Sequence, residues 1–164
     1  MTIPHDEAAE RVCGALGGAP FDAIVTSPFE RARGLAEAIA RRSGKKAPRV
    51  DARLSELSFG EWEGRAFAEI ETSDSARFSE WMARYTELAA PGGETVSDLD
   101  ARVRSFVAEL AQARDSSEDG LLVVAHAGIV RALRRLRDGT SWEEEISQPV
   151  PYLGVIEMEI ELPP

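Results

Sequence analysis

Three side chains in this sequence are placed to handle an anion and a proton. The first is His126, in the stretch LLVVAHAGIVRAL (Leu121–Leu133). Five apolar residues run into the histidine, and a helical pattern follows Ala127 and Gly128. That puts an imidazole at a strand's carboxyl end. Backbone N–H groups near Gly128–Val130 point the same way, an anion site with a titratable group beside it. A core histidine or a simple helix cap is the competing reading. The second is Arg31. The spacing S-P-x-x-R from Ser27 places it in the first turn of a helix, where a cation runs against the helix dipole. A planar guanidinium suits two phosphate-type oxygens at once. Arg33 points to the far side of the same helix and reads as solvated. The third is Glu56, in RLSELSFGEWEG (Arg53–Gly64). Leu54, Leu57 and Phe59 give it the apolar setting that favours a general acid. Glu61 and Glu63 read as loop carboxylates in water.

These residues need a scaffold, and the hydrophobic pattern supplies one. Asp6–Leu16 reads as a helix with Ala9, Val12, Ala15 and Leu16 on one face. GGAP ends it, and Phe21–Val25 is a compact apolar run of the kind found in buried strands. Thr26–Pro28 turns the chain into an alanine-rich helix over Phe29–Arg42, with Leu35 and Ile39 inward. Arg42–Pro48 is a basic surface loop, and Arg49–Leu54 is extended. Phe78, Trp81, Met82, Tyr85 and Leu88 recur at helical spacing within Ala76–Leu88, a core stripe or the underside of a lid. Thr95 and Asp98 form a capping-box-like start to a helix through Leu99, Val103, Phe106, Val107 and Leu110. Asp115–Gly120 is an acidic turn. Leu121–Ala125 is expected to be the best buried strand, followed by a helix over Ile129–Arg137. Ile156, Met158 and Ile160 alternate with Glu157, Glu159 and Glu161, the pattern of a half-exposed strand guarded by charge. Strands alternating with helices define an α/β fold with a largely parallel sheet. Chemistry in such sheets gathers at strand carboxyl ends, where both TSPFER and HAG fall.

Composition narrows the function further. The chain has 164 residues, 43% hydrophobic and 29% charged, with a net charge of −10. That length suits a single domain spanning 1–164 with a real core. The acidic balance argues against nucleic acid or an anionic membrane as partner. A small phosphorylated molecule stays compatible, since it needs only a few convergent donors. The single cysteine, Cys13, excludes an intramolecular disulfide or a cysteine-based zinc site and reads as a small buried helix residue. No secretory h-region or membrane-length apolar run is present, so a cytoplasmic location is expected.

Four segments in order carry a family resemblance: TSPFERARGLAEAIA, RLSELSFGEWEG, APGGETVSDLDARVRSF and LLVVAHAGIVRAL. Together they resemble the histidine phosphatase superfamily, the phosphoglycerate mutase-like fold. The FGEWEGR and PGGET wording is similar to the alpha-ribazole phosphatase branch, whose members act late in cobalamin assembly. The resemblance implies a three-layer α/β/α fold and a phosphohistidine mechanism on a small phosphorylated metabolite, without metal or cofactor. By position, Arg31 corresponds to a phosphate clamp and Glu56 to the acid that protonates the leaving oxygen. His126 corresponds to the second, non-nucleophilic histidine, catalytic as a phosphate contact. Ser27, Glu94, Ala127 and Gly128 are expected to line the pocket.

One part of the family pattern is not found. The family opens with an interior strand ending in Arg-His-Gly, whose histidine is the nucleophile. No such motif occurs here, and TIPHDEAAERV resembles the stretch that follows it. His5 therefore falls after the nucleophile's position and reads as an exposed residue near a helix start. Three readings stay open. The first is an active phosphatase whose N-terminus is incomplete, the second a phosphate-ester-binding pseudophosphatase, and the third an α/β domain that has lost phosphate function. The retention of Arg31, Glu56 and His126 speaks against the third. The chain as written is expected to turn over little substrate. A sheet short of its first interior strand exposes edges that invite a homodimer or strand exchange.

Overall fold

The computed structural model describes residues 3–113 and 120–160. Three parallel strands form the sheet: β1 (Phe21–Thr26), β2 (Arg49–Val50) and β3 (Gly120–Val124), in the order β2-β1-β3. The β1–β3 register runs from Phe21 opposite Gly120 to Thr26 opposite Val124, with a shift between Phe21 and Ala23. Their carboxyl ends are therefore level. The ladder continues past them, because Ser27 N–H donates to Val124 O at 3.1 Å and Asp51 N–H to Thr26 O at 2.9 Å.

Alternation along the strands sends side chains to two separate cores. Ile24, Leu122 and Val124 pack with Ala9 and Val12 of α1 (His5–Leu16) and with Ala32, Ala36 and Ile39 of α2 (Glu30–Arg42). Val25, Leu121 and Val123 face the other way. There they meet Leu99, Val103 and Phe106 of α5 (Val96–Ala113) and Ile129, Ala132 and Leu133 of α6 (Ala127–Asp138). Helices thus cover both faces of a parallel sheet, the expected three-layer arrangement. A third cluster lies apart. Trp62, Ile70, Phe78 and Ala90 are its buried members, drawn from α3 (Phe67–Ser73), α4 (Ser75–Arg84) and flanking loops. A last short helix, α7 (Trp142–Ser147), is held by a Ser141–Glu144 capping box.

Several expectations need correction. Arg49–Leu54 is extended only at its start: after β2, Asp51 accepts from Arg53 N–H at 3.0 Å and caps a 3₁₀ turn over Ala52–Leu54. The Arg53 side chain also grips the Asp51 carboxylate and holds it below the ordinary range. The stripe expected over Ala76–Leu88 ends at Arg84, and Met82 within it is exposed. Ala15 is exposed rather than inward, and Cys13 is half-buried, 3.8 Å from Ser43 Oγ. Helices α3 and α7 had too few apolar repeats to be read from sequence. Leu121–Val123 are only half-buried, because β3 pairs with β1 alone among the described residues. Residues 156–160 keep the expected burial alternation but join no ladder. Met158 and Ile160 pack on the α5–α6 core instead. Glu161 and most of the expected acidic turn, 115–119, lie outside the described residues.

Helices α3 and α4 rest on an aromatic core of their own. Trp62 is 2% exposed, meets Phe78 and Trp81 edge-on, and donates from its indole N–H to Asp74. Trp62→Ala is expected to cost about 3–5 kcal/mol, read by urea denaturation. Amide exchange should then rise across α3 and α4 well before it rises in β1 and β3.

Candidate functional site

The level carboxyl ends of β1 and β3 bring Ser27 and His126 together. Ser27 follows β1 and is fully buried. His126 follows β3, immediately precedes α6, and is 8% exposed. Ser27 Oγ lies 2.7 Å from His126 Nε2 and accepts from Phe29 N–H at 3.2 Å. A hydroxyl that already accepts is free to donate to Nε2, which places the proton of a neutral ring on Nδ1. The imidazole side chain does not cap α6. Burial first, then the charges of Arg31 and Arg102, push its pKa down to about 4. His126 is therefore a neutral hydrogen-bonding group at neutral pH, neither a bare core histidine nor a cation.

Arg31 stands in the first turn of α2, exposed, with no carboxylate partner among the described residues. Its guanidinium Cζ sits 4.9 Å from the Phe29 ring centroid, and the same ring meets His126 at 5.3 Å. Arg33 pairs instead with Glu30 and lies within 3.8 Å of Glu37, solvated as expected.

Glu56 is half-buried beside the start of α6. Gly128 N–H donates to its two carboxylate oxygens at 3.1 and 3.3 Å, and Leu57 N–H donates at 3.0 Å. The anion at this helix terminus is thus a carboxylate of the chain itself. Gly128 lines the site through that bond and through its missing side chain: a Cβ there would lie 2.2 Å from Glu56 Oε1. Ala127, the first residue of α6, joins His126 to Gly128 and is half-buried.

Glu94 is tied down by a residue the sequence analysis missed. Arg102 donates from Nε to Glu94 Oε1 at 2.6 Å and from Nη2 to Oε2 at 3.0 Å. It also donates to the backbone carbonyls of Arg53 and Glu56. One guanidinium thus joins the Glu94 loop to the Glu56 loop. The signal was present: Arg102 lies three residues after Leu99 and four before Phe106, inside the apolar stripe of α5. Of the other carboxylates, Glu61 is exposed near Arg77, whereas Glu63 accepts from Phe59 N–H at 2.7 Å and closes the loop. His5 is half-buried rather than exposed. As the first residue of α1 it lays its ring over Gly34 of α2, where a Cβ would lie 2.1 Å from Cε1.

The family model of the histidine phosphatase superfamily (branch 1) matches residues 6–162, and the chain belongs to that superfamily. Two curated proteins are similar to the chain. The putative phosphoserine phosphatase 2 of Hydrogenobacter thermophilus is 31% identical over 140 residues, covering 85% of this chain and 67% of the relative. The adenosylcobalamin/alpha-ribazole phosphatase of Escherichia coli K12 is 28% identical over 134 residues, covering 81% and 64%. The chain therefore spans about two thirds of the length of these relatives. Among solved structures, a putative alpha-ribazole-5'-P phosphatase from Escherichia coli superposes with a TM-score of 0.76 at 26% identity, covering 89% of this chain and 70% of that one.

Two outcomes follow from this geometry. The unfolded chain takes up a proton at an ordinary histidine value, whereas folded His126 resists protonation to about pH 4. Its contribution to stability is full above about pH 6.5 and is lost as pH falls toward 4, up to ~3 kcal/mol. Urea midpoints measured from pH 7.5 to 4.5 should fall less steeply in His126→Gln. Gly128→Ala should expel the Glu56 carboxylate while changing stability by no more than about 1 kcal/mol, since the displaced group is flexible and Ala favours the helix. A double-mutant cycle checks this: Glu56→Ala should cost stability in the parent and almost none in Gly128→Ala.

Proposed function

We propose that this chain is an alpha-ribazole phosphatase-like phosphomonoesterase site acting on a small phosphorylated metabolite. The observation that carries this reading is the grouping at one end of the sheet. A neutral, serine-held His126 and an exposed Arg31 without a carboxylate partner among the described residues share one aromatic ring, and Glu56 is seated at the adjoining helix start. Such a pair can donate to phosphoryl oxygens while the guanidinium supplies the charge, the main requirement of phosphoryl transfer. In this reading water bonds to phosphorus as the ester P–O bond breaks; Glu56 relays a proton taken up from solvent to the leaving oxygen, and the attacking water gives its own proton to solvent. His126, tied at Nε2 to Ser27, contacts the phosphate and does not attack it. Ser27 orients the imidazole, and Glu94 with Arg102 holds the loop that carries the acid. The curated alpha-ribazole phosphatase relative and the similar solved structure support this branch. The phosphoserine phosphatase relative keeps the alcohol side of the substrate open.

A second reading, ester binding without turnover, is favoured by the placement of both histidines. His126 is committed to Ser27 and His5 rests over Gly34.

Calorimetric titration with inorganic phosphate and turnover of an aryl phosphate separate the cases. Binding should weaken roughly tenfold or more in Arg31→Ala, the loss of a charge-assisted contact. Turnover that disappears in Glu56→Gln supports hydrolysis, and binding without turnover supports the second reading. No phosphate binding by the parent chain overturns both.

A further inference from the structure

We propose that Phe29 is the positioning residue of this site, its ring fixing Arg31 and His126 relative to one another. The proposal rests on reading those two residues as phosphate contacts. Four observations converge on it. First, both groups lie within 5.3 Å of one ring centroid, Arg31 over the ring and His126 tilted against it at 56°. Second, the Phe29 backbone is locked on both sides. Its N–H donates to Ser27 Oγ, the atom that also holds His126, and its carbonyl accepts from Ala32 and Arg33 N–H at 2.9 Å each. The ring is thus anchored to the same hydroxyl as the imidazole it meets.

Third, Phe29 breaks a local rule. It is the N-cap of α2, a position where a serine, threonine, aspartate or asparagine oxygen would stabilise the helix, and it makes no side-chain cap. It is also 38% exposed, so burial does not explain a phenylalanine there. A residue that breaks local preference without a packing return points to function. Fourth, Arg31 follows in the first helical turn, against the dipole, and has no carboxylate partner among the described residues. An aromatic face attracts a guanidinium without neutralising it, so Phe29 can aim Arg31 while its charge stays available to an anion. An acidic residue at position 29 would hold Arg31 equally well and cancel it. On its other side the ring covers part of the imidazole, which also meets the Ser27 hydroxyl and feels the charges of Arg31 from α2 and Arg102 from α5.

The test compares Phe29→Ala, Phe29→Leu and the parent, with folding checked by circular dichroism and thermal melting. Two readouts are taken: the His126 imidazole titration by proton NMR, assigned by its loss in His126→Asn, and the affinity for inorganic phosphate. Phe29→Ala should move the imidazole titration upward toward 6.5 and weaken phosphate about fivefold. Phe29→Leu should keep most of the imidazole shift, because it still excludes water, yet lose the same affinity, because it offers Arg31 no aromatic face. A structural role alone would lower the melting temperature and leave both readouts in place, which overturns the proposal. So does a Leu variant that binds phosphate as the parent does. If the parent binds no phosphate while the titration shifts as expected, the phosphate reading fails and the hold of Phe29 on His126 stands.

Discussion

Ser27 and His126 are 99 residues apart in the chain and 2.7 Å apart in the structure. That contact depends on the level ends of β1 and β3. Parallel pairing places Thr26 opposite Val124, and the Val124 carbonyl then accepts from both Ser27 N–H and Thr26 Oγ. Three neighbouring groups thereby close the end of the sheet. A slip of one residue in this pairing would turn the side chains to the opposite faces. It would also separate the serine from the imidazole. The two apolar cores guard against that slip, because each takes alternate residues of the same strands. The site's geometry is thus set by the register of a small sheet more than by the loops around it.

Glu56 reaches the site by a different route. Its loop has little regular structure, and it is held from below by polar groups. Asp51 organises the turn through Arg53, while Arg102 grips the carbonyls of Arg53 and Glu56 and the Glu94 carboxylate. Gly128 then receives the carboxylate at the helix start. A charged network in this place gives position to a segment without long helix or strand, at the expense of desolvating several ions.

How much of this could be read beforehand varies by physical cause. The layers were legible, because burial leaves a periodic mark in the sequence: FDAIV and LLVVA became neighbouring strands, and the stripe of α5 became a core face. Arg31 and His126 were legible because each stands at a strand-to-helix junction. The seat of Glu56 was not, since it depends on a tertiary contact with Gly128 that no local pattern encodes. The expected apolar pocket for that carboxyl proved to be a pair of backbone donors. Glu94 was read as pocket lining and is the partner of Arg102. The role of Arg102 is not visible from sequence, because its partners, Glu94 and the carbonyls of Arg53 and Glu56, are brought to it only by the tertiary fold. The exposure of β3 was misread because its composition reports what the strand could bury, not how many neighbours it has.

The Trp62–Phe78 cluster shares none of its buried residues with the cores on the two faces of the sheet. Perturbations in groups that share no partner combine additively. Replacements among its aromatic residues therefore leave the register of β1 and β3 to its own energetics. In evolutionary terms this cluster can drift while the register that sets the Ser27–His126 contact is kept. A lineage built this way can alter one cluster in small, separately tolerated steps.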